Sequence, residues 1–189
     1  MKMIKESAKK FWNFLKEDSW QSMLVSLVLA FLIIKFIFFP VLSFVTGSAL
    51  PLVIVESCSM HHSRSLSQIL DDPVYDQFSI SSENASSFPF KHGLEKGDII
   101  LVTRAKNAKI GDVIIFNGGQ ANPIIHRVVK DDGKFTTKGD NNNGLLSTEQ
   151  GIDKEKVVGK ASLRIPYLGW IKLIFYEPFR DKSSRGLCK

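Results

Sequence analysis

Two serines stand two residues apart in Val53-Ile54-Val55-Glu56-Ser57-Cys58-Ser59-Met60-His61-His62. A serine hydroxyl is a weak nucleophile near neutral pH until a neighbouring base takes its proton. Acyl transfer also needs hydrogen-bond donors aimed at the developing oxyanion. The chain has four histidines that could supply the base: His61, His62, His92 and His126. His126 stands apart. It lies in Pro123-Ile124-Ile125-His126-Arg127-Val128-Val129, where β-branched neighbours indicate a strand, a firmer mount than a loop. His61 and His62 are nearer to Ser59 but open a long polar segment that carries them away. Neither C-x-x-C nor H-E-x-x-H occurs, so no metal site is expected.

The elements that must hold Ser59 begin with a membrane anchor. Residues 20–45 are almost wholly apolar, with Lys35 the single charge. A bilayer core takes roughly 20 residues of helix. Lys35 lies towards the C-terminal end of the run, where its stem can snorkel outward, and Pro40 marks a kink or the exit. The run is too long for a cleaved signal peptide and has no A-x-A-like site close behind it. Residues 1–19 alternate Ile4, Phe11, Trp12, Phe14 and Leu15 with five lysines. They suit the membrane interface or a soluble helical tail. Lysines ahead of the span place the N-terminus in the cytoplasm and residues 46–189 outside.

Beyond the span, Pro51 to Val55 reads as a strand. Residues 61–93 read as a polar insertion loop with one short helix near Ser67 to Leu70. It contains Asn84-Ala85-Ser86, an N-glycosylation acceptor pattern. Short strand-like runs follow at 98–103, 112–116, 123–129, 134–137 and 157–164, separated by turn residues. We expect a mainly β, antiparallel sheet or barrel tethered by one N-terminal transmembrane helix. Gly97-Asp98-Ile99-Ile100 and Gly111-Asp112-Val113-Ile114 form a small repeat that a shared turn-into-strand geometry explains. The aromatic segment 165–176 is too short to span and is expected to pack over an open barrel end rather than enter the interface. The net charge of +6 is spread out, which gives no nucleic-acid stripe but suits a surface against anionic lipid. Cys58 and Cys188 are expected as free thiols; a bridge between them would tie the chain's end to the Ser57–Ser59 stretch.

In combination these motifs resemble the type I signal peptidases of the archaeal and endoplasmic-reticulum type. The matching residues are Glu56-Ser57-Cys58-Ser59-Met60, Gly111-Asp112-Val113-Ile114-Ile115-Phe116, Ile125-His126-Arg127-Val128-Val129, Lys138-Gly139-Asp140-Asn141-Asn142, and Arg164-Ile165-Pro166-Tyr167-Leu168-Gly169. The resemblance implies Ser59 as nucleophile and His126 as general base, where the bacterial type has a lysine. It implies Ser57 as side-chain donor to the oxyanion. For the third triad member it points first to Asp140. Leu146 occupies the slot where the eukaryotic type has a second acidic residue, so Glu149 and Asp153 are the alternatives. Two further departures are Cys58 where the family commonly has glycine, and His62 where it has proline.

The implied activity is removal of signal peptides from secretory preproteins without any cofactor. The substrate would lie extended beside Leu52, Val53, Ile54 and Val55, with small pockets favouring small side chains before the cut. The alternative is a membrane-tethered β-domain that binds preproteins or other partners without cleaving them.

Overall fold

A computed structural model describes residues 2–120 and 122–189. Met1, the first residue of the expected N-terminal segment, lies outside them. The chain divides into two compact units, Met1–Val45 and Thr46–Lys189.

The first unit is helical. Helix α1 (Lys2–Leu15) leaves Ile4, Phe11 and Trp12 exposed beside its lysines. Helix α2 (Trp20–Ile33) starts at Ser19, whose hydroxyl accepts the Ser22 N–H at 3.2 Å and so satisfies one of the unpaired donors of the first turn. Ile34–Phe38 then widen into a π-helix before α3 (Phe39–Thr46). Pro40 has no N–H, and its ring would press on the carbonyl four residues back. The wider turn ahead of it makes room, with the Phe39 N–H reaching the Ile34 carbonyl. Pro40 therefore does not end the helix. Trp20–Thr46 is one apolar run of 27 residues, long and apolar enough to cross a membrane. At 1.5 Å per residue it measures about 40 Å, against a hydrocarbon core of about 30 Å. The Lys35 ammonium lies over the Phe31 and Phe36 rings, so its stem runs along apolar surface.

The second unit is a six-stranded antiparallel sheet. Its strands are β1 (Leu52–Ile54), β2 (Ile99–Thr103), β3 (Val113–Phe116), β4 (Ile124–Asp131), β5 (Phe135–Lys138) and β6 (Val157–Ile165), in the order β1-β2-β6-β3-β4-β5. The strands β1 and β5 are its edges, and no pairing joins them among the described residues. The sheet is thus open where a barrel was the alternative expectation.

Burial follows the strand period. In β2, Ile100 and Val102 are buried while Ile99, Leu101 and Thr103 are partly exposed. In β3 all four residues are buried. Val113 and Ile115 join one apolar cluster with Val55, Met60 and Leu94; Ile114 and Phe116 join another with Val128, Phe135 and Ile152. A strand covered on both faces reads as an unbroken apolar run, as Val-Ile-Ile-Phe does.

The repeat at Gly97 and Gly111 is one turn used twice. Both glycines have positive φ, +90° and +92°. The aspartate after each accepts the N–H three residues before it: Asp98 from Glu95 at 2.7 Å and Asp112 from Lys109 at 3.0 Å.

The polar segment at 61–93 is more ordered than a loop. Ser65 caps the short helix α4 (Leu66–Leu70) through a capping box with Gln68. Two 3₁₀ turns follow, Pro73–Phe78 and Ser82–Ser87. Leu66, Ile69, Leu70, Tyr75, Ile80 and Ala85 are buried together with Val129 of β4. Each fully buried Leu or Ile is worth about 1.5–3 kcal/mol, enough to give this segment a small core against the sheet. Beyond β6, the short helix α5 (Trp170–Leu173) buries Leu173. Its neighbours Ile171, Ile174 and Phe175 remain exposed.

Candidate active site

A cleft of about 640 Å³ opens beside the free edge of β1. Leu52, Val53, Ile54 and Val55 line one side, Ile115, Ile124 and Ile125 another. Ser57, Ser59 and His126 face the same space. The chain thus brings together residues 67 positions apart, because β4 carries His126 across the sheet from the turn that follows β1.

Ser59 is half-buried and Ser57 exposed, and their hydroxyls lie 3.1 Å apart. The turn is pinned from behind. Asn141 donates its N–H to the Ser59 carbonyl at 2.8 Å and its side-chain amide to the Cys58 carbonyl at 3.0 Å.

His126 is buried in β4. Its Nδ1 lies 2.5 Å from Oε1 of Glu149, a fully buried carboxylate. The two atoms touch without the alignment of a hydrogen bond. Glu149 is fixed independently, accepting the N–H of Gly139 at 3.0 Å and that of Leu146. The 3₁₀ turn Ser147–Glu149 directs it inward.

Asp140 is placed differently. Its carboxylate accepts from Arg127 Nε and Nη2, at 2.7–3.1 Å, and from His62 Nε2 at 2.8 Å. Burial alone pushes the Asp140 carboxyl up, but the Arg127 guanidinium and His62 outweigh it and hold the group below the usual carboxylate value. Asp153 sits at the surface, paired with Lys134 at 2.8 Å and Lys156 at 3.5 Å. Of the three acidic residues singled out in the sequence, it is Glu149 that meets the His126 ring.

Several contacts at this site had no separate signal in the sequence. Arg127, next to His126 but pointing to the other face, also donates to the carbonyls of Pro89, Phe90 and Gly111. Lys138 is buried and caps the carbonyls of Gly139 and Asn142; burial pushes its amine down. At one end of the cleft Glu56 binds Arg180 at 2.8 Å, Lys172 at 3.3 Å and Asn122 at 3.3 Å.

The expectation of two free thiols is overturned. Cys58 and Cys188 form a disulfide with Cα atoms 5.5 Å apart. The C-terminal segment therefore grips the nucleophile stretch twice, by ion pairs at Glu56 and covalently at Cys58, on either side of Ser57. The spacing of 130 residues carries no local signal of such a bond. Ligand-type groups do gather at His61, Glu95 and Cys188, but the Cys188 sulfur is bonded and the His61 ring faces Glu95 at 2.8 Å. Reduction of the disulfide, or Cys188→Ser, is expected to lower stability by about 2–4 kcal/mol, read as a drop in the melting temperature of the detergent-solubilised chain. A melting temperature equal in both redox states would show that the bond does not form.

No protein-family model matches the chain. Individual relatives do. The signal peptidase complex catalytic subunit SEC11C of Homo sapiens is 36% identical over 96 residues, 43% of this chain and 50% of that protein. The SEC11C protein of Mus musculus matches to the same extent. The catalytic subunit SEC11 of Yarrowia lipolytica is 30% identical over 156 residues, 76% of this chain and 73% of that protein. The chain spans about half the length of the mammalian relatives it matches and nearly three quarters of the yeast one. The chain belongs to the family of signal peptidase complex catalytic subunits.

Proposed function

We propose that this chain is a membrane-anchored serine endopeptidase that removes N-terminal signal peptides from secretory preproteins, working by the Ser–His chemistry of the archaeal and endoplasmic-reticulum type. The observation that carries the reading is the convergence on one cleft of Ser59, His126 and the buried Glu149 at the back of the His126 ring. The free edge of β1 supports an extended substrate held by main-chain hydrogen bonds, with Leu52, Val53, Ile54 and Val55 alongside it.

In this mechanism His126 Nε2 takes the Ser59 proton as Oγ attacks the scissile carbonyl carbon. The oxyanion is met by the Ser59 N–H and the Ser57 hydroxyl. His126, now an imidazolium with the Glu149 charge against Nδ1, gives its proton to the leaving amine as the C–N bond breaks. Water, deprotonated by His126, then attacks the acyl-enzyme ester, and the proton returns to Ser59 as the signal peptide leaves. The assignment moves the third role from Asp140 to Glu149, because the Asp140 oxygens are engaged by Arg127 and His62. No metal or organic cofactor enters these steps. The span Trp20–Thr46 would run from a cytoplasmic N-terminus to a catalytic domain on the far side of the membrane, the orientation set by the lysines that precede it.

The test is cleavage of a preprotein by the full chain in lipid vesicles, with the new N-terminus sequenced. The expected product is cut after a small residue, and only by protein with Ser59 intact. Binding without cutting would favour the non-catalytic tethered domain instead. Protease added outside sealed vesicles or cells should reach the β-domain; finding it protected on the cytoplasmic side would reverse the orientation.

A further inference from the structure

The piece of chain that touches both halves of the candidate site is the loop after β5, residues 139–142. On one side Asn141 holds the carbonyls of Cys58 and Ser59. On the other, the Gly139 N–H donates to Glu149. Gly139 also lies against the base: a Cβ built there would stand 2.8 Å from His126 Nε2 and 2.6 Å from Asn142 Nδ2. This loop therefore sets the spacing between nucleophile and base.

The loop is itself held from behind by the segment inserted at 61–93. His62 Nε2 meets Asp140 at 2.8 Å, with both side chains almost fully buried. The Tyr75 ring lies 5.0 Å from the Lys138 ammonium that caps Gly139 and Asn142. The carbonyls of Pro89 and Phe90 accept from Arg127, the other partner of Asp140. The segment can bear on the loop because it has its own core, built on Leu66, Ile69, Leu70 and Tyr75.

Within this arrangement His62 is the side chain of the segment that contacts Asp140 directly. Both of its ring nitrogens face acceptors, the Asp140 carboxylate and, at 3.3 Å, the Lys91 carbonyl. A ring nitrogen that carries a proton can donate to the acceptor it faces, and the contact to the charged oxygen is the shorter one. Gly93 leaves the ring its room, since a Cβ built there would stand 2.8 Å from it.

We infer that the inserted segment is a positioning module for the active site, and that His62 is its positioning residue, acting on Ser59 and His126 through Asp140 and the 139–142 loop. The inference rests on the Ser59–His126 reading above. His62 does not touch substrate; it supplies an N–H donor that keeps the loop seated. A loosened loop changes the distance between nucleophile and base, and misplacement of about 1 Å costs about 10²-fold in rate. The edge of β1 is left alone, so substrate binding should be nearly unaffected.

The test compares the full-length protein with His62→Ala and His62→Gln in lipid, by preprotein cleavage and by the ring ¹⁵N–¹H resonances of His126. A glutamine amide can place an N–H near the position of Nε2. Expected is a fall in kcat of about 10–100-fold for His62→Ala with KM nearly unchanged, substantial recovery in His62→Gln, and His126 resonances that shift in the first variant and return in the second. Undiminished kcat with unmoved His126 resonances in His62→Ala would overturn the inference. So would a His62→Gln variant as impaired as His62→Ala while melting at the wild-type temperature. If the wild-type protein fails to cut, the peptidase reading fails, and the resonances alone decide whether His62 positions His126.

Discussion

Ser59→Ala and His126→Ala are each expected to lower kcat for preprotein cleavage by about 10⁶-fold, the scale seen when either half of a serine–base pair is removed. If the two act as a unit, the double variant should be no slower than either single one. Glu149→Gln should follow at about 10⁴-fold. The amide keeps the volume and can still accept one backbone N–H, but it removes the charge 2.5 Å from His126 Nδ1. Asp140→Asn should cost stability through Arg127 and, through the His62 contact that seats the 139–142 loop, no more than the roughly 10–100-fold in rate expected of His62→Ala. Single-turnover cleavage by the four variants, each checked for wild-type melting before rates are compared, gives the ranking. If folded Asp140→Asn loses more rate than folded Glu149→Gln, the third role returns to Asp140.

The largest expected loss of stability is at Arg127. Its guanidinium is fully buried, bonded to Asp140 and to three backbone carbonyls. Arg127→Met keeps much of the volume but leaves a buried carboxylate with His62 alone and three carbonyls short of a donor. Breaking one partner of a buried pair costs about 3–5 kcal/mol, read as a fall in melting temperature. The pH dependence should also flatten. In the wild type the folded Asp140 is held below its ordinary value. Its contribution is full above the unfolded value and is lost as pH falls through the folded one, so acid destabilises. Without Arg127, burial is opposed by His62 alone, so the folded value moves up towards the unfolded one. The variant should then lose less stability than the wild type as pH falls through the acid range. A variant that melts like the wild type at pH 7 would remove Arg127 from the framework.

The strands were legible because their burial alternates or is continuous: β2 shows the period of two, and β3 is an apolar run covered on both faces. The repeated Gly-Asp turn was legible for a local reason, since each aspartate closes its own turn. The insertion was not. Leu66, Ile69, Leu70, Tyr75 and Ile80 are scattered among serines and aspartates, and their common core exists only once the segment lies on Val129. The open sheet was equally hidden, because closure depends on whether two edge strands meet, which no single strand records. Glu149 is an intermediate case. The spacing inherited from the resemblance pointed to Leu146, yet Glu149 accepts the N–H of that same Leu146, a capping geometry that turns a carboxylate back onto its own chain and inward. Cys58 and Cys188 lie beyond the reach of any local pattern.

The bond between those cysteines bears on the order in which the protein is made. A chain grows from its N-terminus, so the turn carrying Ser59 leaves the ribosome 130 residues before the partner of Cys58. Until that partner has been translated and oxidised, the turn lacks both its covalent tether and the Arg180 clasp on Glu56. The candidate site is thus completed only once residues 180–188 are in place.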